Sequence, residues 1–193
     1  MSERRWRGAW LEVVTEAVEL PNGNCIDLDI VRHPGASAVV PFVSESEVLL
    51  IRQYRYATGG ELWEVPAGKL DVGEDPVHCA RRELEEEAGR RAGRLQALGP
   101  MWASPGFTDE RIHLFAAFDL EEVTQRLEPD EVIECEQMSF QRALEMVWSG
   151  EISDAKSQLA LLKAAHLVQR LGKSGAGSAA ALAAKPEQGS SAV

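Results

Sequence analysis

Apolar and polar residues alternate along several short stretches of the chain, which is the pattern of half-buried β-strands. Residues 10–20 and 26–30 are two such stretches, and in the second one apolar residues alternate with aspartates. The turn sequence PNGN at 21–24 lies between them. Because such a turn joins antiparallel strands, the chain is predicted to begin with a strand pair.

Further strands and two late helices follow from the same pattern. The remaining strands are expected at residues 36–43, 48–53, 61–65, 95–103, 111–118 and 132–138. The first two of these would pair across the polar turn at 44–46. Helices are expected at 140–149 and 154–171, with Gly150 and Gly172 as stop signals. Strands around one internal helix, with more helix towards the end, predict a layered α+β domain.

One internal helix is bounded by clear signals at both ends. Asp75 can cap its first turn, Pro76 suits the first helical position, and Gly89 can end it in a left-handed conformation. Its apolar residues recur every three or four positions and are expected to form the buried stripe: Val77, Ala80, Leu84 and Ala88.

Three glutamates, Glu83, Glu86 and Glu87, lie close together on another face of this helix. Like charges one turn apart destabilise a helix by about 0.2–0.5 kcal/mol per pair. An acidic helix face is ordinarily solvated. A divalent cation would instead turn the repulsion into binding energy, and carboxylate oxygens suit Mg²⁺ or Mn²⁺. The fixed positions of the residues around these glutamates favour a metal site that acts on phosphates.

The glutamates belong to the segment GKLDVGEDPVHCARRELEEEAG at 68–89. This segment resembles the Nudix box, G-x5-E-x7-R-E-U-x-E-E-x-G-U with U apolar, and only the last position departs from it, being Arg90. The resemblance implies a hydrolase that splits a nucleoside diphosphate linked to another group. It also implies an α/β/α sandwich with a mixed sheet, here preceded by an N-terminal antiparallel strand extension.

The resemblance assigns roles to residues of the box. Glu83 and Glu87 match metal-ligand positions, Glu86 is a further ligand or a neighbour of one, and the carbonyl of Ala67 is an additional ligand. Arg82 matches the arginine that orients a helix glutamate. Two or three Mg²⁺ ions are expected, with Mn²⁺ as a possible substitute. Gly68 lets the loop approach the metal, whereas Glu74 could stabilise the loop without touching metal.

The segments on either side of the box indicate which class of substrate is expected. Pro105 lies sixteen residues beyond Gly89, and the segments RQYR at 52–55 and EVPAG at 64–68 accompany it. These features resemble ADP-ribose and nucleoside-diphosphate-sugar pyrophosphatases. The expected substrate contacts are Arg52, Arg55, Glu64, Pro105, Glu110 and Trp10. Each has an alternative: the arginines could be surface charges, Glu64 a structural ion-pair partner, Pro105 part of a turn, and Trp10 a core or interface residue.

An acidic segment at 128–134 precedes the strand at 132–138. Such clusters are usually solvated loops, but the subfamily carries a late catalytic glutamate here. Glu131 fits best as the base that activates water, and Glu128 and Glu134 remain alternatives. Together with Glu86 and Arg82, it completes the expected catalytic set. The products would be a nucleoside monophosphate and a sugar phosphate, for example AMP and ribose 5-phosphate.

Two rival functions remain. One is a Nudix hydrolase of another pyrophosphate, such as a nucleoside triphosphate, coenzyme A or a dinucleoside polyphosphate. The other is a non-catalytic sensor that binds ADP-ribose, which the intact box disfavours. A net charge of −11 argues against a nucleic-acid or anionic-membrane partner, although metal and arginines can still attract a small anion into a cleft.

Composition and length complete the expectations. The 193 residues are predicted to divide into an N-terminal strand region (1–35), a Nudix domain with C-terminal helices (36–172) and a disordered tail (173–193). No apolar run is long enough for a membrane span, and three unpaired cysteines indicate reduced thiols in a cytoplasmic protein. The resemblance further implies a homodimer in which the strands at 10–33 are exchanged and complete the partner's cleft.

Overall fold

The computed structural model describes residues 2–174, which form ten strands, three α-helices and one short 3-10 helix at Tyr56–Thr58. The strands are β1 (Ser2–Arg7), β2 (Glu12–Glu19), β3 (Cys25–Arg32), β4 (Ala36–Pro41), β5 (Glu47–Arg55), β6 (Gly60–Glu64), β7 (Ala67–Lys69), β8 (Arg90–Trp102), β9 (Arg111–Glu122) and β10 (Ile133–Ser139). The helices are α1 (Pro76–Ala88), α2 (Phe140–Ser149) and α3 (Ala155–Ser174).

The strands form three sheets. β1, β2 and β3 make an antiparallel sheet at the N-terminus. A second antiparallel sheet has the order β10-β5-β6, and a four-stranded sheet has the order β7-β4-β9-β8. The four-stranded sheet is mixed, because β4 runs parallel to β9 and antiparallel to β7. The expected mixed sheet and antiparallel N-terminal extension are both confirmed.

Helices cover the two faces of the mixed sheet. Alternate residues of β4 belong to different cores: Val39 packs with Ala80 and Leu84 of α1, whereas Val40 packs in the core that contains Leu161 of α3. β9 alternates in the same way. A strand with a helix on each face is expected to be almost entirely apolar, and every residue of β4 is buried, with Ser37 as its one polar side chain. The structure is therefore the predicted α/β/α sandwich.

The predicted pairing of the strands at 36–43 and 48–53 is wrong. The chain does turn between them, and Phe42 forms an isolated bridge with Val48. The strands then diverge, so that β4 joins the mixed sheet and β5 joins β6 and β10. The reason is that β7 and β9 flank β4 on its two sides in the mixed sheet and leave no free edge for β5.

Three other expectations need correction. Val77 was placed in the buried stripe of the internal helix but is 40% exposed, and Cys79 is fully buried instead. β1 was not predicted because its residues are charged and exposed, and β7 was missed because it has only three residues. β8 begins at Arg90, five residues before the predicted start, since the helix ends directly in a strand.

The last two helices agree closely with the prediction, and α3 runs to Ser174, two residues into the predicted tail. The expected disorder of the rest of the tail, 175–193, lies outside the described residues. Within residues 2–174 no helix is long and apolar enough to cross a membrane. The three cysteines, Cys25, Cys79 and Cys135, are free thiols.

Candidate active site

Helix α1 and strand β7 meet at the centre of the site. Asp75 caps the helix by accepting a hydrogen bond from the amide of Val77 at 2.8 Å, and Gly89 ends it with φ 59°. A methyl group at Gly68 of β7 would overlap the carboxylate of Glu83. Glycine at position 68 therefore leaves the Glu83 carboxylate the space in which it reaches the strand.

Glu83 and Glu87 are buried, with 7% and 2% of their surfaces exposed. The Glu87 carboxylate accepts a hydrogen bond from the backbone amide of Ala67 at 2.7 Å. A solvated acidic face is thus excluded for these two residues. Burial raises the pKa of Glu83 to about 7, although the guanidinium of Arg82 opposes the shift. Burial, and then the negative charge of Glu83, raises the pKa of Glu87 well above its usual value.

Arg82 holds the acidic groups around it. It donates to Glu74 at 3.0 and 2.9 Å, to Glu83 at 2.6 Å and to Glu86 at 3.1 Å. The hydrogen bond from Arg82 lowers the pKa of Glu74, which also accepts a hydrogen bond from the amide of Asp71 at 2.9 Å. Glu74 accordingly stabilises the loop before α1, which is one of the two roles expected for it.

These residues fit a divalent cation. Glu83 and Glu87 are two buried carboxylates whose charges are opposed by burial and by each other, and a bound cation would relieve both effects. Their oxygens are ligands that Mg²⁺ accepts, and the missing side chain of Gly68 gives them room. Among residues 2–174, no three acidic, histidine or cysteine side chains already surround one point.

A cleft of about 670 Å³ opens beside these carboxylates, a volume typical of small-molecule sites. Glu83, Glu86 and Glu87 line it, together with Arg82 and the backbone of Ala67. The cleft therefore collects the residues that the Nudix box singles out, although they are separated by up to twenty positions in the chain.

Arg55 brings a positive charge to the cleft and is held there by a buried ion pair. Its Nε and Nη2 atoms donate to the two oxygens of Glu64, each at 2.9 Å. Lys156 of α3 donates to Glu64 at 2.6 Å and also lines the cleft. Burial alone would raise the pKa of Glu64, but the hydrogen bond from Arg55 and the charge of Lys156 outweigh it and lower the pKa.

Glu64 is only 1% exposed and does not line the cleft, so it acts as the structural partner of Arg55. Of the two roles considered for Glu64, the structure supports the ion pair. Sequence reasoning missed Lys156 altogether. It lies 92 residues after Glu64, in a helix with no motif of its own, and only the folded structure brings the two together.

Arg52 and Pro105 are not brought to the cleft. Arg52 points to the opposite side of β5 from Arg55, where it pairs with Glu61 at 3.4 Å and with Glu134. The alternation of side chains along a strand explains why neighbouring arginines of RQYR face different ways. Pro105 is exposed in the turn between β8 and β9. The expectation that these two residues contact substrate finds no support in the geometry of this chain.

Trp10 and Glu110 do line the cleft. The ring of Trp10 packs edge-on against His33, with centroids 5.1 Å apart. His33 lies 3.6 Å from a carboxylate oxygen of Glu110. This aromatic and acidic corner comes from the N-terminal region and from the segment before β9, so it lies on a different wall from Arg55.

The acidic loop before β10 also faces the cleft. Glu128, Asp130 and Glu131 line it, and Glu131 accepts a hydrogen bond from the backbone amide of Glu128 at 2.7 Å. The charge of Glu131 contributes to the raised pKa of both Glu83 and Glu87, as expected if it faces them. Glu134 does not line the cleft, which leaves Glu131 and Glu128 as the candidates for the base.

Known proteins resemble this chain in both sequence and fold. The NUDIX domain model matches residues 31–157. An ADP-ribose pyrophosphatase of Bacillus subtilis is 39% identical over 82% of this chain and 87% of its own length. A methanol dehydrogenase activator of Bacillus methanolicus is 38% identical over 83% and 88%. A GDP-mannose pyrophosphatase of Escherichia coli is 36% identical over 74% and 84%.

A solved structure, the crystal structure of an ADP compounds hydrolase, superposes on 90% of this chain and 94% of its own. The TM-score is 0.78 at 21% identity, so this match supports the fold. Apart from Trp10, every residue that lines the cleft lies within the part of the chain that the family model matches. The chain therefore belongs to the NUDIX domain family.

Proposed function

We propose that the protein hydrolyses the diphosphate bond of ADP-ribose or a related nucleoside diphosphate sugar, in a reaction that requires Mg²⁺. The observation that carries this proposal is the pair of buried carboxylates, Glu83 and Glu87, beside a cleft that also holds Arg55 and Lys156. Acidic groups for a metal and basic groups for phosphate are what a diphosphate needs. The names of the Bacillus subtilis and Escherichia coli relatives support the same class of substrate.

Glu83, Glu87 and Glu86, with the carbonyl of Ala67, would hold the metal. When bound, Mg²⁺ neutralises charge on the diphosphate and lowers the pKa of a coordinated water. Arg82 keeps Glu83 and Glu86 oriented. The chain supplies the remaining parts of the site from β5 and from the acidic loop.

Arg55 binds the diphosphate with the N–H groups that Glu64 does not use. Glu64 fixes the plane of the guanidinium, and Lys156 keeps Glu64 ionised, so that the arginine is oriented before substrate arrives. Glu131 accepts a proton from the attacking water. The water oxygen forms a bond to one phosphorus as the bond from that phosphorus to the bridging oxygen breaks. The electron pair stays on the bridging oxygen of the departing phosphate.

The rival substrates differ in their products. Cleavage of a nucleoside triphosphate between the α and β phosphorus atoms releases inorganic pyrophosphate, and cleavage of a nucleotide sugar does not. A non-catalytic sensor would release nothing. The intact box and the two buried glutamates argue against the sensor, since burial of unused carboxylates would only destabilise the fold.

The first prediction concerns products and Glu87. With Mg²⁺ and ADP-ribose, the protein should release AMP and ribose 5-phosphate in equal amounts, as measured by chromatography. Glu87→Gln should fold normally but lose at least about 100-fold in kcat, because it removes a charge at the reacting centre and keeps the shape. Glu85→Gln is the matched control: Glu85 is on the same helix, pairs with Arg91 at 2.8 Å and lies outside the cleft.

Release of pyrophosphate from a nucleoside triphosphate, with ADP-ribose left intact, would contradict the substrate class. If Glu87→Gln turns over ADP-ribose at the wild-type rate under saturating Mg²⁺, the metal-ligand assignment is wrong even if the substrate is right. Glu85→Gln should retain wild-type kinetics in either case.

The second prediction concerns the base. Glu131→Gln should lower kcat by at least about 100-fold, the lower end of general-base assistance, and leave KM for ADP-ribose within a few-fold. Binding of the ground state depends on the metal and Arg55, which explains the small change in KM. Steady-state kinetics at saturating Mg²⁺ measure both constants.

Glu128→Gln and Glu134→Gln serve as controls for the position of the base. Glu134 faces Arg52 on the other side of the sheet, so its variant should stay active. If Glu128→Gln loses activity and Glu131→Gln keeps it, the loop still supplies the base, but the base is Glu128. Full activity in all three variants would mean that no loop glutamate accepts the proton.

We also propose a homodimer in which the N-terminal strands complete the partner's cleft. In the single chain all six residues of β1 are exposed, and Trp6 and Trp10 are 54% and 49% exposed. Large exposed aromatic side chains on a sheet are typical of an interface.

The third prediction is therefore a dimer mass in light scattering at micromolar protein concentration. Trp6→Ser should shift the equilibrium towards monomer and raise KM, because the second chain's strands would no longer support the cleft. A wild-type monomer with full activity would remove the dimer from the proposal.

A further inference from the structure

Gln53 of β5 is a buried polar residue whose role nothing above explains. It is 5% exposed and lies in the wall of the cleft. Its carbonyl oxygen, Oε1, is the single buried side-chain oxygen or nitrogen within residues 2–174 that has no hydrogen-bond partner. Every other buried polar side-chain atom in that part of the chain is paired.

An unpaired buried oxygen calls for a physical reason. Buried polar atoms are nearly always hydrogen-bonded, because an unpaired one loses its water and gains nothing in return. An apolar side chain of similar size would fill the same space without this cost. Gln53 lies in the wall of the cleft while its Oε1 atom is closed to solvent, so a turn of the side-chain amide would present this oxygen to a group that enters with the ligand.

The position of Gln53 in the cleft indicates which part of the ligand this is. Side chains alternate along β5, so Gln53 and Arg55 point to the same side of the strand. Arg55 is the group that fits the diphosphate. Trp10 and His33, which offer an aromatic surface to a nucleobase, come from the N-terminal region and not from this sheet. With the base at that corner and the diphosphate at Arg55, the distal sugar extends along β5.

We infer that Gln53 accepts a hydrogen bond from a hydroxyl group of the distal sugar and is a specificity-determining residue of the site. A sugar presents O–H donors to the carbonyl oxygen. The terminal phosphate of a nucleoside triphosphate presents acceptor oxygens in the same place, and two acceptors repel each other. Gln53 thus favours a sugar over a phosphate beyond the diphosphate. This inference rests on the proposed hydrolysis of nucleotide sugars.

A second source of an O–H donor is a water molecule bound to the metal. A comparison of two substrates distinguishes the sugar hydroxyl from the metal-bound water as the donor. ADP-ribose has a distal sugar, whereas the β-methyl ester of ADP has the same diphosphate and adenosine but a methyl group in place of the sugar. A water-binding role would serve both substrates equally, and a sugar-binding role serves ADP-ribose alone.

The test is Gln53→Met, which keeps the length of the side chain and removes the acceptor oxygen. With Mg²⁺ present, kcat/KM for ADP-ribose should fall about tenfold, the scale of one neutral hydrogen bond. The value for the β-methyl ester should stay at the wild-type level. Tm should be unchanged or higher, because the unpaired oxygen has gone; a residue with only a structural role would show a lower Tm. Gln137→Met, an exposed position of β10 outside the cleft, is the matched control.

Three results would overturn the inference and leave the proposed function intact. Equal losses on both substrates would assign Gln53 to water, and unchanged kinetics on both would remove it from the site. A lower Tm with no preference between substrates would make it structural. Wild-type enzyme that hydrolyses neither compound would overturn the proposed function, and with it this inference, whereas wild-type activity with an unaffected variant overturns the inference alone.

Discussion

Two negative charges buried between a helix and a strand are the constraint on which this site depends. Glu83 and Glu87 lie on the inner side of α1 against β7, where water reaches little of their surface. The fold tolerates them because Gly68 leaves space, the amide of Ala67 donates to Glu87, and Arg82 donates to Glu83. These contacts reduce the cost of burial and do not remove it, since the pKa of both carboxyls stays raised. A bound cation would supply the missing positive charge.

The separation of β4 from β5 gives the site its second wall. β4 lies between α1 and α3 in the mixed sheet, while β5 leaves to form its own sheet with β6 and β10. That sheet carries Arg55 to the cleft and leads into the acidic loop. Burial of Glu64 under Arg55 and Lys156 then ties the wall to α3. The groups proposed to bind metal and phosphate thus come from different layers, and the cleft is the space between them.

Local signals in the sequence were sufficient for the helix of the box. Asp75, Pro76 and Gly89 act through neighbouring residues, so their effect can be predicted without the fold, and the proposed metal ligands follow from the resemblance to the Nudix box. The pairing of β4 was not predictable in this way, because it depends on β9, more than seventy residues later. Lys156 belongs to no motif, and Gln53 lies within RQYR but no role was expected for it. Their positions beside the cleft depend on distant strands and helices coming together. The unpaired oxygen of Gln53 is likewise a property of the folded chain.

The central claim is that a bound cation offsets the destabilisation caused by burying the two glutamates. Thermal unfolding at about pH 8, above the raised pKa of Glu83, tests this most directly. Without metal, Glu83→Gln combined with Glu87→Gln should raise Tm above wild type. The gain should shrink towards about pH 5, where the wild-type carboxyls are protonated in the folded protein. Mg²⁺ at a hundred times Kd should stabilise the folded wild-type protein by about 2.7 kcal/mol and so raise its Tm. The Tm of the variant should not change. A wild-type protein that is more stable than the variant without metal, and indifferent to Mg²⁺, would contradict the account.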